Sequence, residues 1–294
     1  MVSINERTLL EVTGVAAPRS FECATFGAAQ STSPHTLAYL DTPRFAVTLA
    51  ENPCVTVVLT TAALAPLLPG KLCVLCDEPL EVFFRFQNRV AEDNYVRRAS
   101  VVSPRARVHP RAYVCEHNVT IEEDAEIGPN ATVLADVRVG AGCRVGAGAT
   151  LGGSGFQFKR TRGGVLAVFH DGEVRLGREV RVGSNCAIDK GFAYRHTELA
   201  DEVKLDDLVY IAHGVHVGAA SFLAAHVAVS GSTTIGARVW VGPGAVVSSR
   251  VRIGDDAFVT LGSVVSRDVA AGEKVTGNFA VPHERFVAHL RTVR

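Results

Sequence analysis

The feature that most constrains this chain is a six-residue period between Leu199 and Val265. Aliphatic side chains recur there without a miss at Leu199, Leu205, Ile211, Val217, Leu223, Val229, Ile235, Val241, Val247, Ile253, Val259 and Val265. Four positions after each stands a second small or β-branched residue, among them Val203, Val209, Val215, Val227, Thr233, Val239, Ala245, Val251 and Ala257. A strict hexad over this length reads as short strands separated by corners, wound into coils that stack their side chains in ladders.

The frame begins at Val102, Val108 and Val114, continues after one extra residue through Ile121, Ile127, Val133, Val139, Val145 and Leu151, and resumes at Leu176, Val182 and Ile188. Gly152 to about Glu173 and Asp189 to Glu198 interrupt it. Insertions in repeat arrays become loops on one face, where binding surfaces are usually built. With three hexads per turn the frame gives roughly eight coils about 4.8 Å apart. Flat parallel faces with exposed edges favour closed assembly, so a homotrimer is expected.

Residues 1–100 lack the period. Val55–Leu59 and Leu72–Leu75 read as buried strands, and Pro43–Ala50, Thr60–Leu68 and Leu80–Glu92 as helices, which together make a small α/β domain. The β-helix is expected over 101–275. A tail over 276–294 follows, with a short helix from Pro282 to Arg291.

Composition narrows the function class. Thirty basic and thirty acidic residues leave no net charge, so nothing global draws the chain to nucleic acid. Its N-terminus lacks a signal-peptide pattern and no apolar run suits a membrane span, which points to a cytoplasmic protein without membrane insertion. Seven scattered cysteines fit a reducing compartment. Cys73 and Cys76 read as thiols of a buried strand. Cys143 and Cys186 fall where the frame elsewhere places Ala, Val or Thr, and read as core fillers.

Chemistry concentrates at His213. It lies two residues after an inward aliphatic, where other coils carry mostly small residues, and one eighteen-residue coil later stands Gly231. That pairing sets an imidazole beside a backbone N–H with no side chain in the way, so a substrate carbonyl could approach both. Of the other histidines of the unbroken array, His216 lies three residues after His213 and His226 ten after His216. Zinc-dependent carbonic anhydrases built on such coils need two histidines five residues apart, a spacing absent here, so no metal is expected. Lys159, Arg160 and Arg162 lie in the first interruption and are candidates for donor phosphates.

Several segments together resemble the UDP-3-O-acylglucosamine N-acyltransferases of lipid A biosynthesis. These are Tyr39-Leu40-Asp41-Thr42-Pro43-Arg44-Phe45, Gly155-Phe156-Gln157-Phe158, Asn185-Cys186-Ala187-Ile188-Asp189-Lys190-Gly191, and Lys204-Leu205-Asp206-Asp207 leading into Ile211-Ala212-His213. The resemblance implies a left-handed parallel β-helix, a uridine-binding N-terminal domain and a homotrimer. It further implies direct acyl transfer without a bound cofactor, from an acyl-carrier-protein or CoA thioester to the amine of a nucleotide-linked sugar. His213 would match the general base and Gly231 the oxyanion amide. Tyr39 and Phe45 would match the aromatics that sandwich uracil, and Thr42, Asn185, Asp206, Asp207 and Arg250 would lie at substrate-binding positions. Thr42 replaces the family's Asn, Asp207 another Asn and Arg250 a second histidine, while the family's longer C-terminal helices shrink to one. A short-chain donor such as acetyl-CoA, acting on another amino sugar, is the alternative within the same chemistry.

Overall fold

The computed structural model describes residues 3–193, 195–277 and 282–292. Short strands, most of two residues and one per hexad, assemble into three parallel sheets of 8, 9 and 8 strands. Face A runs from Val101–Val102 to Arg252–Ile253, face B from Arg107–Val108 to Lys274–Val275, and face C from Tyr113–Val114 to Val264–Val265. The chain visits A, B and C in turn, and partners along each face are eighteen residues apart in the unbroken array: Tyr210 pairs with Ala228, and Ala228 with Val246. This is the parallel β-helix the hexads imply, of the left-handed kind implied by the resemblance.

Burial explains the period. Each hexad aliphatic of the unbroken array and its companion four residues on point into one continuous apolar core, for instance Leu205, Val209, Ile211 and Val215. Between them each corner turns through a residue with positive φ, such as Asn185 (55°), Gly214 (64°), Ser232 (62°) and Arg250 (64°). Cys143 and Cys186 are buried in this core, their thiols donating to the carbonyls of Gly177 and Asp206 at 3.0 and 3.1 Å. Burial pushes the Cys143 thiol up to about 11, the opposite of an activated nucleophile.

Ahead of the coils, four parallel strands, Thr25–Phe26, Thr36–Leu40, Val55–Thr60 and Leu72–Leu75, form a sheet in that order. Helices α1 (Glu6–Thr13) and α3 (Pro79–Asn94) share an apolar cluster on one side, with Leu9, Leu37, Phe83 and Phe86 in it; α2 (Ala46–Glu51) contributes Leu49 to a second cluster with Leu40 and Val58. The segment Thr60–Leu68 is not a helix. Thr60 completes a strand, and only Ala65–Leu67 makes a 3-10 turn, because Pro66 and Pro69 leave too few backbone donors for a longer one. The C-terminal helix, α4, spans His283–Thr292; residues 278–281 and 293–294 of the expected tail lie outside the described residues. Among the described residues no helix is long and apolar enough to cross a membrane.

Candidate active site

Both interruptions leave face C and rejoin at face A, and so does the corner that carries His213. The C-to-A edge therefore gathers the irregular chain. The first interruption is not a plain loop: Phe158–Thr161 and Gly164–Ala167 form an antiparallel hairpin laid against α3. Asn88 fixes its end by donating to the Ala167 carbonyl (2.7 Å) and accepting from the Phe169 N–H (2.8 Å). The second interruption braces the His213 corner from below. Thr197 Oγ1 accepts from Gly214 N–H (2.8 Å) and donates to the Asp189 carbonyl (2.6 Å), while Arg195 Nε donates to the Gly214 carbonyl at 2.7 Å.

His213 lies directly against Gly231, as the eighteen-residue register requires. A Cβ on Gly231 would collide with His213 Cε1 and come within 2.5 Å of Nε2, so only glycine admits the ring in this position. Corners of the A-to-B edge show what the equivalent amide does elsewhere: Arg178 N–H and Ala237 N–H are each met by a carboxylate from the next coil, Asp201 at 2.8 Å and Asp255 at 2.9 Å. Gly231 is met instead by the imidazole of the preceding coil.

The pocket is electropositive. Burial first, then the charges of Lys159, Arg195 and Arg250, push the His213 imidazole down to about 4. It is thus neutral, and able to accept a proton, across the physiological range. Lys159 places its ammonium 4.5 Å from the Phe84 ring centre; burial and then the Arg250 charge lower its pKa, while Asp41 opposes them. Burial and the Asp41 charge raise the Tyr39 hydroxyl, and Arg250 counteracts them. Asp41, Tyr39, Lys159, Arg250 and His213 therefore lie within electrostatic reach along one edge of a single chain.

Other candidates fall elsewhere. Phe45 packs with the Leu40–Leu49 cluster, with the Arg44 guanidinium 5.3 Å from its ring centre, whereas Tyr39 packs on Phe83 and Phe84 at 5.0 and 5.8 Å; the two rings belong to different clusters, not to a ready-made slot. Thr42 is exposed beside them. Arg160 is exposed, and Arg162 pairs with Glu78 at 2.5 Å, because alternate residues of a hairpin strand face opposite ways and only Lys159 of the three turns inward. Asn185, Asp206 and Asp207 lie on the B-to-C edge, where Asp207 Oδ1 accepts from Ser184 N–H at 2.6 Å. His216 sits on face A and His226 on the B-to-C edge, so neither joins His213.

Three neighbours of His213 escaped the sequence reading. Phe192 packs on it with ring centres 5.2 Å apart, Arg195 comes from the second interruption, and His170 from the first lies 5.9 Å away, ring centre to ring centre.

Residues 118–153 match the bacterial transferase hexapeptide (six repeats) family. A UDP-3-O-acylglucosamine N-acyltransferase from Maricaulis maris (strain MCS10) is 47% identical over 143 residues, 48% of this chain and 41% of that protein. One from Acinetobacter baumannii (strain AYE) is 45% identical over 82 residues, 28% of this chain and 23% of that protein. The matched segments thus span less than half the length of these relatives. Among solved structures, UDP-N-acetylglucosamine acyltransferase from Campylobacter jejuni superposes with a TM-score of 0.52 over 66% of this chain and 81% of that one, at 18% identity, a likeness of fold alone. The chain is a hexapeptide-repeat left-handed β-helix protein, similar in sequence to the UDP-3-O-acylglucosamine N-acyltransferases.

Proposed function

We propose that this protein transfers an acyl group from a pantetheine thioester, carried by CoA or an acyl carrier protein, to the amine of a nucleotide-linked amino sugar. The observation that carries the reading is the buried His213 imidazole seated on Gly231, with the charges of Lys159, Arg195 and Arg250 acting on it. The sugar amine attacks the thioester carbonyl while His213 takes its proton; the Gly231 N–H faces the oxyanion as it forms. As the tetrahedral intermediate collapses, the C–S bond breaks and the imidazolium returns the proton to the departing thiolate. An amide and a free thiol result, with no protein nucleophile.

Lys159, Arg195 and Arg250 suit the diphosphate of the acceptor. Its charge would offset theirs and raise the basicity of His213 when substrate is bound. The nucleoside would extend towards Asp41 and Tyr39. Asn185, Asp206 and Asp207 can reach such a site only from the B-to-C edge of a second copy, and face C offers a row of outward residues in which small ones (Thr132, Thr150, Ala187, Ala228) stand among Tyr113, Tyr210, Val246 and Val264; these support a homotrimer as the working assembly.

The reading is tested by incubating the protein with UDP-sugar amines and a panel of acyl thioesters of different length, with products read by mass spectrometry. Amide formation that disappears in His213→Ala is the expected result. No turnover with any thioester would overturn it.

A further inference from the structure

The first interruption delivers a second imidazole to His213. His170 is only 5% exposed, and its Nδ1 lies 2.9 Å from the Val168 carbonyl, an arrangement that makes Nδ1 the protonated nitrogen and leaves Nε2 as an acceptor. Nε2 is buried and, among the described residues, has no hydrogen-bond partner, and the same is true of His213 Nδ1. Unpaired polar atoms of this kind are uncommon in folded proteins. Gly155 keeps the wedge between the rings open: a Cβ there would lie 3.0 Å from His170 Nε2, 2.9 Å from His213 Cβ and 3.0 Å from His213 Cδ2. Its φ is not in the left-handed region, so the glycine is explained by space and not by backbone conformation.

A half-turn of an imidazole about Cβ–Cγ exchanges Nδ1 with Cδ2 and Nε2 with Cε1 while preserving its outline. For His213 this half-turn brings Nδ1 to the Gly155 wedge that His170 Nε2 also faces. It also brings Nε2 to the ring position that crowds Gly231. Ring centres 5.9 Å apart are too distant for a direct bond and suit one bridging water, which would accept from His213 Nδ1–H and donate to His170 Nε2.

Building on the assignment of His213 as base, we propose that His170 is its positioning residue: through a bridging water its Nε2 holds His213 as the Nδ1–H tautomer, with the Nε2 lone pair turned to the substrate over Gly231. The role resembles that of a carboxylate behind a catalytic histidine, filled here by a neutral ring whose own tautomer the Val168 carbonyl sets.

The test reads tautomers and kinetics separately. In 15N-labelled wild-type protein near neutral pH, imidazole nitrogen shifts and couplings should show His213 protonated at Nδ1 and bare at Nε2; an Nε2–H tautomer overturns the proposal without any variant. His170→Phe should shift His213 towards the Nε2–H form. It should also lower kcat about 10- to 100-fold with little change in KM for either substrate, whereas His170→Gln, which keeps an acceptor, should recover part of the loss. Thermal melts confirm that each variant is folded. If His213→Ala is inactive while both His170 variants keep wild-type kcat and tautomer, the positioning role is wrong and the catalytic one stands. If His213→Ala keeps full activity, the catalytic reading itself is wrong.

Discussion

Two edges of the same prism have been put to different uses. Along the A-to-B edge several corners are satisfied within the chain: Asp201 and Asp255 accept from the amides of neighbouring coils, and Arg178–Asp201 and Arg238–Asp256 add ion pairs at 2.8 and 2.7 Å. Along the C-to-A edge the corner residues include His213, Gly231 and Arg250, and buried nitrogens of His213 and His170 lack partners among the described residues. The repeat geometry is common to both edges, so the difference lies wholly in side chains and in the two interruptions. A β-helix can thus leave one edge free for chemistry while another holds the stack.

The contrast is broken most sharply by His213→Ala. Turnover should fall by about two to four orders of magnitude while the melting temperature stays within a few degrees of wild type; unchanged turnover would place the chemistry elsewhere. Gly231→Ala, which drives a methyl into the imidazole, should lower kcat by about 100-fold or more, a loss that an altered KM alone would contradict. Arg250→Gln removes a cation proposed to face the acceptor's diphosphate, so KM for the nucleotide sugar should rise about tenfold with kcat little changed, and the salt dependence of KM should weaken. The smallest effect belongs to the quiet edge. Asp255→Ala should cost about 1 kcal/mol in a denaturant melt and leave activity per folded molecule intact.

Acidification probes the same contrast. The imidazole of His213 sits at about 4 in the fold against about 6.5 when unfolded, so the unfolded chain binds more protons between those values. Stability present above pH 6.5 should therefore be lost as the pH falls towards 4, and His213→Ala should flatten that slope. A slope identical in the variant would mean that the ring is not buried in solution.

Much of the scaffold was legible because the constraint is arithmetic. A residue every six positions must face inward, a residue eighteen positions on must stack above, and Gly231 was found beside His213 on that ground alone. The same arithmetic separates the other candidates, since Asp207 precedes His213 by six residues, one third of a coil, and so occupies another edge. His170 could not be placed this way. It lies in an interruption, where no period fixes its register, and only the packing of the hairpin on α3 brings it home. The distribution of Tyr39 and Phe45 between clusters was hidden for a related reason: a 3-10 turn at Pro43–Phe45 separates them and redirects the chain. At Thr60–Leu68, apolar content suggested a helix that the prolines forbid.

Arg250 carries a last consequence. The stacked corner positions of this edge are Gly214, Ser232 and Arg250, all with φ near +60°, a conformation that disfavours a long L side chain by roughly 1–2 kcal/mol. A library selected only for heat resistance should therefore drift to glycine or asparagine at residue 250, and the survivors should be sturdier proteins that bind the nucleotide sugar poorly. The guanidinium is present here at the expense of the backbone's preference, as Arg238 (φ 55°) is on the quiet edge beside Asp256, so it is the loss of ligand binding in those survivors, and not the strain alone, that would tie Arg250 to the proposed site.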